Sequence, residues 1–411
     1  MKLNKMMTAL ALAGVAFSSA ALATDGMFSP VYGMTANGMG GAATAMSEDT
    51  FGGANNPASM VFVGNRIDLG ASLFSPQRQA SVYGGTPAAT TESSDANYFV
   101  IPEFGYNHML TSNLSLGVSV YGNGGMNSDY GPMTMMTPHG PYPGSNLYYG
   151  SGNLGVNLVQ MVIAPTLAYK INDNNSIGIS PLIGYEQFTG QGFQASGQQN
   201  AGTSSAWGDG VRIGYQGRIT PNFTIGADYS SKISFGNLSN YGYNTQSGLF
   251  AVSNGELDLP ANYSLGVAWK VVPDLTLALD YERILYSGVA AIGTAPSYTA
   301  PGGFGWSDIG VWKLGAEYKY NERWTLRAGW NHCDNPISSA VAWANVPAPG
   351  VVTDHITLGA SYYTASGNEW TVAYVHAFQN SVTGNVPAAV GGGVDTLRMQ
   401  EDTIGVAYAW R

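Results

Sequence analysis

Charged residues, cysteines and long apolar runs are all scarce in this sequence of 411 residues. Charged side chains make up 10% of it, against roughly 25% in an ordinary soluble domain. A single cysteine, Cys333, excludes an internal disulfide framework and a four-cysteine zinc site. After the first 23 residues, no stretch reaches the roughly 18 consecutive apolar residues that a membrane-spanning helix needs. These shortages argue against both an ordinary soluble domain and a helical membrane protein.

Basic residues are also few, since 16 Lys and Arg stand against 26 Asp and Glu, for a net charge of −10. Without a basic patch to replace phosphate counterions, the chain is not expected to bind nucleic acid. The abundant residues are 55 glycines and 25 tyrosines. Tyrosine favours strands, and so much glycine disfavours helix, so the composition indicates a β protein.

The first 23 residues predict a signal peptide for export. Lys2 and Lys5 precede an apolar stretch from Met6 to Phe17, which leads to the small-x-small site Ala21-Leu22-Ala23. Cleavage is expected before Thr24. No cysteine follows that site, so a lipoprotein anchor is not available.

Most of the remaining chain alternates with period two, as amphipathic strands do. In "VWKLGAEYKY", Trp312, Leu314 and Tyr318 lie opposite Lys313 and Glu317. The same alternation is found at 275–282, 324–330 and 403–410. One face of each predicted strand is apolar, and the other is polar or small.

A soluble β-sandwich would also alternate, but two features favour a barrel in a membrane. The apolar face ends in aromatic side chains, as expected for girdles at two membrane interfaces; these are Trp269, Tyr281, Tyr320, Trp324, Trp330, Trp370, Tyr408 and Trp410. The opposite face carries glycine and opposed charges, as expected for a lumen. Lumen charges such as Lys313, Glu317, Lys319 and Arg327 are expected to pair with one another or to hold an interior segment.

Short and long connections alternate along the chain, which is typical of bacterial barrels with short periplasmic turns and long extracellular loops. The six short turns are at 111–113, 172–175, 220–222, 272–274, 321–322 and 365–368. The seven long loops are at about 75–96, 122–150, 190–205, 235–258, 287–306, 334–351 and 380–399. Thirteen connections predict an all-β, 14-stranded antiparallel transmembrane barrel in the outer membrane of a Gram-negative cell, with no strand edge exposed to lipid.

A barrel of this width leaves a lumen that side chains alone do not fill. Residues 24–65 precede the first strand, show no alternation and are rich in small residues, so they are predicted to be a plug, or hatch, inside the lumen. Asn55, Asn56, Pro57 and Ala58 are predicted to be the hinge between hatch and wall, because proline stiffens the chain and restricts the residue before it. A simple turn before a strand is the alternative.

The chain resembles the FadL-type outer-membrane transporters of long-chain fatty acids and other hydrophobic compounds. The resemblance rests on the stretch from Gly38 to Asp49, followed by Asn56-Pro57-Ala58, and on similar stretches at 257–287 and 305–338. It implies three parts: a signal peptide at 1–23, a hatch at 24–65 and a barrel at 66–411. One departure is Arg411, which follows Trp410 where the family usually ends in an aromatic residue.

The resemblance also implies a route for the substrate. In that family the third strand is kinked, and an apolar substrate leaves sideways through the resulting gap, which here falls at Tyr121, Gly122, Asn123, Gly124 and Gly125. Glycine weakens strand pairing and suits such a gap, although an ordinary loop start would look the same. Substrate binding is implied for the start of the hatch and for the loop after the gap, at Met27, Phe28, Met126, Met133, Met135, Met136, Tyr142, Leu147, Tyr148 and Tyr149.

Methionine adapts to varied apolar ligands, and an exposed apolar loop suggests binding. A loop that packs on itself as a cap is the alternative. The expected function is passive uptake of a hydrophobic small molecule, a fatty acid or a hydrocarbon. A porin for small polar solutes is the other hypothesis, and the hatch-length N-terminal segment disfavours it.

No catalytic residue, metal ligand or cofactor is predicted. The five histidines lack metal-ligand spacing, and His332-Cys333-Asp334 is an isolated cluster. No G-x-S-x-G elbow joins a strand to a helix, so an outer-membrane lipase is disfavoured. The expected surroundings are outer-membrane lipid and lipopolysaccharide, with the protein as a monomer.

Overall fold

The chain folds as a closed β-barrel. The computed structural model describes residues 25–83, 90–137, 140–148, 150–193, 199–243, 245, 248–297, 299–390 and 392–411, with the backbone alone at 83, 133–137, 140–143 and 390. Within these ranges, the wall strands β1 to β14 are, in chain order, Arg66–Tyr83, Phe99–Met109, Leu114–Gly122, Leu154–Asn172, Asn175–Gln191, Gly202–Thr220, Phe223–Ser230, Asn262–Val272, Leu275–Ile284, Ile309–Lys319, Trp324–Cys333, Asp354–Tyr363, Glu369–Asn385 and Val394–Trp410.

Each wall strand pairs antiparallel with its neighbours in sequence, and the last strand pairs with the first. Closure places Ile67 of β1 opposite Trp410 of β14, while Arg66 lies opposite Asn107 of β2. The prediction of a 14-stranded antiparallel barrel is confirmed. A closed barrel pairs its strands around the whole circumference, which is what a hydrocarbon environment requires.

The predicted alternation decides which face of each strand points outward. On β10, Trp312, Leu314 and Tyr318 are 47%, 46% and 46% exposed, whereas Lys313 and Glu317 are 5% and 4% exposed. The apolar face therefore points outward, toward lipid, and the polar face points inward. Two outward ring pairs bridge neighbouring strands, since Tyr281 packs at a tilt against Trp312 with centroids 4.9 Å apart and Trp370 packs against Tyr408 with centroids 4.7 Å apart.

All six short turns and all seven long loops are found between the strands, in the predicted alternation. The long loops begin later than expected at β1, which continues to Tyr83, and at β13, which continues to Asn385. The outward residues of these extensions are polar, as at Gln77 and Gln79. Strand pairing continues there beyond the apolar belt, so the alternation of apolar residues ends before the strand does.

Short elements complete the described part of the chain. The additional strands are Thr90–Ser93, Asn127–Tyr130, Met133–Thr137, Gly140–Ser145 and Ser234–Phe235. The α-helices are Met34–Asn37, Met60–Val63 and Ala290–Gly293, and the 3-10 helices are Pro57–Ser59, Ala251–Ser253, Tyr286–Gly288, Ala342–Ala344 and Ala388–Val390. No helix in the described ranges has both the length and the hydropathy to cross a membrane.

Arg411 follows β14 at the end of the barrel that carries the short turns, where β14 closes on β1. Its guanidinium pairs with Glu369 at 2.6 Å and lies 5.3 Å from the centroid of the Tyr363 ring. Glu369 also accepts from Arg66 at 2.9 Å. The terminal arginine thus joins an ion-pair network that links the first strand to the last two.

Candidate functional site

The N-terminal segment, residues 25–65, is hydrogen-bonded to strands distributed around the barrel. These bonds join Thr50 to Asp68 of β1, Met60 to Asn107 of β2, Asn56 to Tyr215 of β6, Thr44 to Asp280 of β9, Pro30 to Lys313 of β10, and Gly40 to Thr357 of β12. The wall side chains in these bonds belong to the inward, polar face of the strands. The predicted lumen polarity therefore supplies the partners of this segment.

Wall glycines let the segment approach the sheet closely. A Cβ atom added at Gly226 of β7 would lie 2.0 Å from the carbonyl oxygen of Thr44. One added at Gly178 of β5 would lie 2.3 Å from the carbonyl carbon of Pro57. Any larger side chain at these positions would push the segment away from the wall.

The Asn56-Pro57-Ala58 motif is fastened to the wall between β5 and β6. The amide of Asn56 donates to the carbonyls of Thr44 at 2.7 Å and Tyr215 at 3.0 Å, and its side-chain oxygen accepts from the Ala58 N–H at 3.0 Å. That last bond caps the 3-10 helix Pro57–Ser59. The helix Met60–Val63 follows before β1 begins at Arg66, so the motif lies within the segment rather than at its junction with the wall.

Asn55 links this motif to the predicted wall gap. Its side-chain amide donates to the Tyr32 carbonyl at 2.8 Å and accepts from the Tyr32 N–H at 3.3 Å. The Tyr32 hydroxyl in turn donates to the side-chain oxygen of Asn123 at 2.6 Å, and its ring lies 4.2 Å from that of Tyr121. Burial raises the pKa of Tyr32 well above its usual value, so its hydroxyl stays a donor.

The wall is not continuously paired beside these residues. The β2–β3 ladder ends at the pair Phe104–Val120, and β3 ends at Gly122. Residues 99–103 continue to pair with β1, while the Asn123 N–H turns the other way, to Gln160 of β4 at 3.0 Å. An unpaired seam therefore begins at Tyr121. A cavity of about 30 Å³ beside it is lined by Tyr32, Glu103, Tyr121 and Gly122, among others.

The start of the N-terminal segment packs against a cluster of buried aromatic rings. The Met27 N–H donates to the Tyr286 hydroxyl at 2.9 Å, and Phe28 packs edge-on against the Tyr286 ring at 6.2 Å. Tyr286 packs against Trp306 at 5.2 Å. Contacts between rings continue through Phe304, Phe250, Phe188 and Tyr241. We call these seven rings, from Phe28 to Tyr241, the aromatic cluster.

The structure brings some of the predicted substrate-binding residues together. Met27, Phe28, Met126 and Leu147 are buried in one apolar core with Tyr121 of the predicted gap. Tyr148 packs on Phe193 at 6.1 Å and donates to the Trp343 carbonyl at 3.0 Å. Tyr149 lies outside the described residues, and so do the side chains of Met133, Met135, Met136 and Tyr142, whose backbone forms a hairpin.

Most residues of the aromatic cluster could not be recognised as site residues from the sequence. Tyr286, Phe304 and Trp306 lie in the loop between β9 and β10, and Tyr241 and Phe250 lie in the loop between β7 and β8. Aromatic residues in long loops are unremarkable one at a time, and only the fold shows that they converge. The pairing of Tyr32 with Asn123 joins residues 91 positions apart, which no local pattern reveals.

Three acids in the N-terminal segment, the buried Asp25 and the half-buried Glu48 and Asp49, have raised pKa values. Burial raises the pKa of Asp25 to about 6 and that of Asp49 to about 7. The negative charge of Glu317, together with burial, raises the pKa of Glu48 to about 7. The wall charges predicted to interact do so, because Arg327 pairs with Glu317 at 2.8 Å and Lys313 with Glu282 at 2.6 Å. Lys319 is exposed at the end of β10.

The histidines do not form a metal centre in the described residues. His332 contacts Asp354 at 2.9 Å and His376 contacts Asp402 at 2.9 Å. No group of three or more His, Cys, Asp or Glu side chains in the described part of the chain is placed to hold a metal ion.

Comparison with known proteins shows extended similarity. A profile of the family described as outer membrane protein transport protein (OMPP1/FadL/TodX) matches residues 10–409. No curated protein sequence matches the chain.

Solved structures with the same fold include two toluene transporters and a FadL homologue. The P. putida toluene transporter TodX aligns with a TM-score of 0.70 at 17% identity, over 92% of this chain and 98% of that one. The Ralstonia pickettii toluene transporter TbuX gives 0.64 at 18% identity, over 93% and 98% of the two chains. A Pseudomonas aeruginosa FadL homologue gives 0.68 at 18% identity, over 94% and 99%. Identities this low establish a shared fold.

Proposed function

The chain belongs to the OMPP1/FadL/TodX family of outer membrane transport proteins, and from this premise we propose that it carries uncharged aromatic hydrocarbons passively across the outer membrane. Its place in the outer membrane and its role in transport, rather than catalysis, follow from the family. The substrate, the path and the way of release are the proposal. The single observation that carries it is the aromatic cluster into which Met27 and Phe28 insert.

Residues 24–65 act as the hatch in this proposal. The hydrogen bonds from residues 30–60 to strands around the barrel support it, as does the close approach of Thr44 and Pro57 to wall glycines. Asn55 and the Asn56-Pro57-Ala58 motif hold the hatch to β6 and hold Tyr32 at the seam. A hatch in this position would block an open aqueous pore, which is the reason that a porin is disfavoured.

Substrate first meets the loop after β3 and then the aromatic cluster, where it displaces Met27 and Phe28. An aromatic ring gains from edge-to-face packing as well as from burial, and the rings of the cluster lie at such angles. Release occurs sideways, through the unpaired seam at Tyr121, Gly122, Asn123, Gly124 and Gly125, because a hydrocarbon is better solvated by the bilayer than by the aqueous periplasm.

An uncharged substrate is preferred to a fatty acid on electrostatic grounds. A carboxylate entering the buried site needs a cationic partner. Four of the five buried Lys and Arg side chains in the described residues, Arg66, Arg212, Lys313 and Arg327, already pair with carboxylates of the wall. The fifth, Arg78, contacts Ala96 and Phe99 rather than a ring of the aromatic cluster. The toluene transporters TodX and TbuX, which share this fold, support the same preference.

Uptake measurements test the proposal directly. Cells that lack other transporters of this type and produce the intact protein should take up radiolabelled toluene with saturation, and should take up radiolabelled oleate no faster than cells without the protein. A variant of the site, Trp306→Ala, opens the aromatic cluster and should raise the half-saturating toluene concentration. Saturable oleate uptake without toluene uptake would reverse the assignment of the substrate class.

A further inference from the structure

Three polar side chains lie side by side on the inner face of the wall, across the end of β3 and the neighbouring strands β4 and β5. Gln160 of β4 lies opposite Glu186 of β5, and its side-chain amide donates to the Glu186 carboxyl at 3.0 Å. On the other side, the Gln160 carbonyl accepts from the Asn123 N–H at 3.0 Å. Asn123, Gln160 and Glu186 are all buried. We call these three side chains the polar row.

The polar row lies on the path proposed for the substrate. Phe188 of the aromatic cluster follows Glu186 by two residues on β5, so it lies on the same face of the strand, about 7 Å farther toward the long loops. Tyr121, at the seam, precedes Asn123 by two residues on the side of the short turns. A molecule that moves from the aromatic cluster to the seam therefore passes the polar row.

Each member of the polar row has one buried polar atom without a hydrogen-bond partner in the described residues. These atoms are Nδ2 of Asn123, Oε1 of Gln160 and Oε1 of Glu186. Their surroundings are apolar, since Leu158 and Val162, the neighbours of Gln160 on the same face of β4, belong to the buried apolar core. A buried polar group that lacks a partner destabilises the folded protein, so a ligand that supplies the missing bonds would be favoured here.

The chemistry of the three atoms defines the ligand group. The Asn123 amide offers a donor, whereas the side-chain oxygens of Gln160 and Glu186 offer acceptors. A hydroxyl group matches this set, because it donates one proton and accepts through its lone pairs. A carboxylate has no proton to donate, and a hydrocarbon forms none of these bonds.

Building on the proposed function, we propose that the polar row selects uncharged aromatic molecules with one hydroxyl group, such as phenols, over hydrocarbons of the same shape. The ring packs in the apolar core beside Phe188, while the hydroxyl donates to Gln160 or Glu186 and accepts from Asn123. A site that hydrogen-bonds a hydroxyl discriminates against the analogue without it, because the polar atoms of the site then stay unpaired. Hydrocarbons remain substrates of lower affinity.

The test compares p-cresol with 4-fluorotoluene, which has nearly the same shape but no proton to donate. Cells that lack other transporters of this type and produce the intact protein take up radiolabelled toluene, and the concentration of each competitor that halves this uptake is measured. We expect p-cresol to do so at a concentration about tenfold or more lower, the effect of a hydrogen bond made in a buried site. Radiolabelled p-cresol should itself be taken up with saturation.

A double variant locates the recognition. Gln160→Leu combined with Glu186→Leu should make the two competitors act at equal concentrations. Both hydrogen-bonded partners are replaced together, so neither is left unpaired and the barrel should fold. The matched control is Gln77→Leu combined with Gln400→Leu, a hydrogen-bonded pair on the outward face, and it should keep the difference between the competitors.

The outcomes separate this inference from the proposed function. Equal half-inhibiting concentrations with the unchanged protein would overturn the role of the polar row, while saturable toluene uptake would still support the proposed function. Saturable p-cresol uptake without saturable toluene uptake would support the polar row and overturn the hydrocarbon substrate, and saturable uptake of neither would overturn both. A double variant that keeps the difference would place hydroxyl recognition elsewhere. If that variant does not reach the outer membrane, the two competitors on the unchanged protein decide.

Discussion

The hydroxyl of Tyr32 donates a 2.6 Å hydrogen bond to the side-chain oxygen of Asn123. Tyr32 belongs to the N-terminal segment, and Asn123 is the first residue beyond β3, where the wall seam is unpaired. The side-chain amide of Asn55 holds the backbone of Tyr32, because it donates to the Tyr32 carbonyl and accepts from the Tyr32 N–H. Tyr32 thus connects the proposed hatch to the exit proposed for the substrate.

Replacing Tyr32 by phenylalanine should loosen this connection and keep the ring contact with Tyr121. Loss of one hydrogen bond is worth about 1 kcal/mol, so the equilibrium between closed and open seam should shift about fivefold. If opening limits transport, toluene uptake by cells should be faster than with the unchanged protein. The measurement is the initial rate of radiolabelled uptake at a fixed low concentration.

Tyr318→Phe is the control for that change, because Tyr318 is exposed on the lipid-facing side of β10. It should leave uptake unaltered. Uptake by Tyr32→Phe that matches this control would show that the hydroxyl does not hold the exit shut.

Valine at Gly122, Gly124 and Gly125 should close the seam. β-Branched residues favour paired strands, so the barrel should remain folded and keep its resistance to detergent before heating. Ligand binding should persist while uptake falls sharply. Gly131→Val is the control, since a side chain there meets nothing within 4 Å. Undiminished uptake by the triple variant would place the exit elsewhere, with release through the hatch into the periplasm as the next hypothesis.

A substitution in the wall should displace the proposed hatch without changing the sequence of the N-terminal segment. Gly226→Val would place a Cβ atom 2.0 Å from the Thr44 carbonyl oxygen, so the segment must move away from β7. Ion conductance in planar bilayers should rise, as it should when residues 24–55 are deleted. Ala227→Val, on the other face of the same strand, should conduct like the unchanged protein. Large conductance of the unchanged protein, equal to that of the deletion, would favour the porin hypothesis.

Much of the barrel could be predicted from the sequence, because a lipid-facing wall imposes a strict two-residue period. The polarity of Trp312 and Lys313 is enough to predict which of them faces outward and which faces inward. The turns at 173–174 and 273–274 separate strands by so few residues that the strands must pair antiparallel. Beyond the apolar belt this signal disappears. Gln77 and Gln400 pair across β1 and β14, although neither belongs to an apolar face.

The site was harder to predict, because it depends on contacts between distant parts of the chain. Small residues in the N-terminal segment indicated an interior position, but not that Asn55 holds Tyr32 or that Gly226 accommodates Thr44. The aromatic cluster is assembled by loops that follow β7 and β9 together with Phe188 of β5. Which loops converge is set by the tilt and closure of the barrel, and local sequence carries no information about either.

The stability of the proposed hatch should depend on pH through Glu48. Its pKa is raised from 4.5 to about 7, chiefly by the charge of Glu317, so between these values the folded protein binds more protons than the unfolded chain. The free energy that holds the segment is therefore greatest at low pH and falls as the pH rises toward and through about 7. Brief conductance openings should be rarer at about pH 5 than at about pH 8.

Glu48→Gln should remove part of that pH dependence, since the amide never ionises. Glu256→Gln, in an exposed extracellular loop, should preserve it. The same openings at both pH values in the unchanged protein would mean that Glu48 titrates without affecting the hatch.

The loop after β3 is expected to capture substrate before it reaches the aromatic cluster. Its hairpin, Met133–Thr137 paired with Gly140–Ser145, carries Met133, Met135 and Met136. Serine at all three positions removes apolar area worth on the order of a kcal/mol or more for each side chain, so uptake should weaken at low toluene concentration. It should recover at high concentration, where capture no longer limits the rate and the seam is unchanged. Met109→Ser, at the end of β2, is the control and tests whether the loss of any methionine has this effect. An unchanged dependence on concentration in the triple variant would leave the hairpin as a lid without a role in capture.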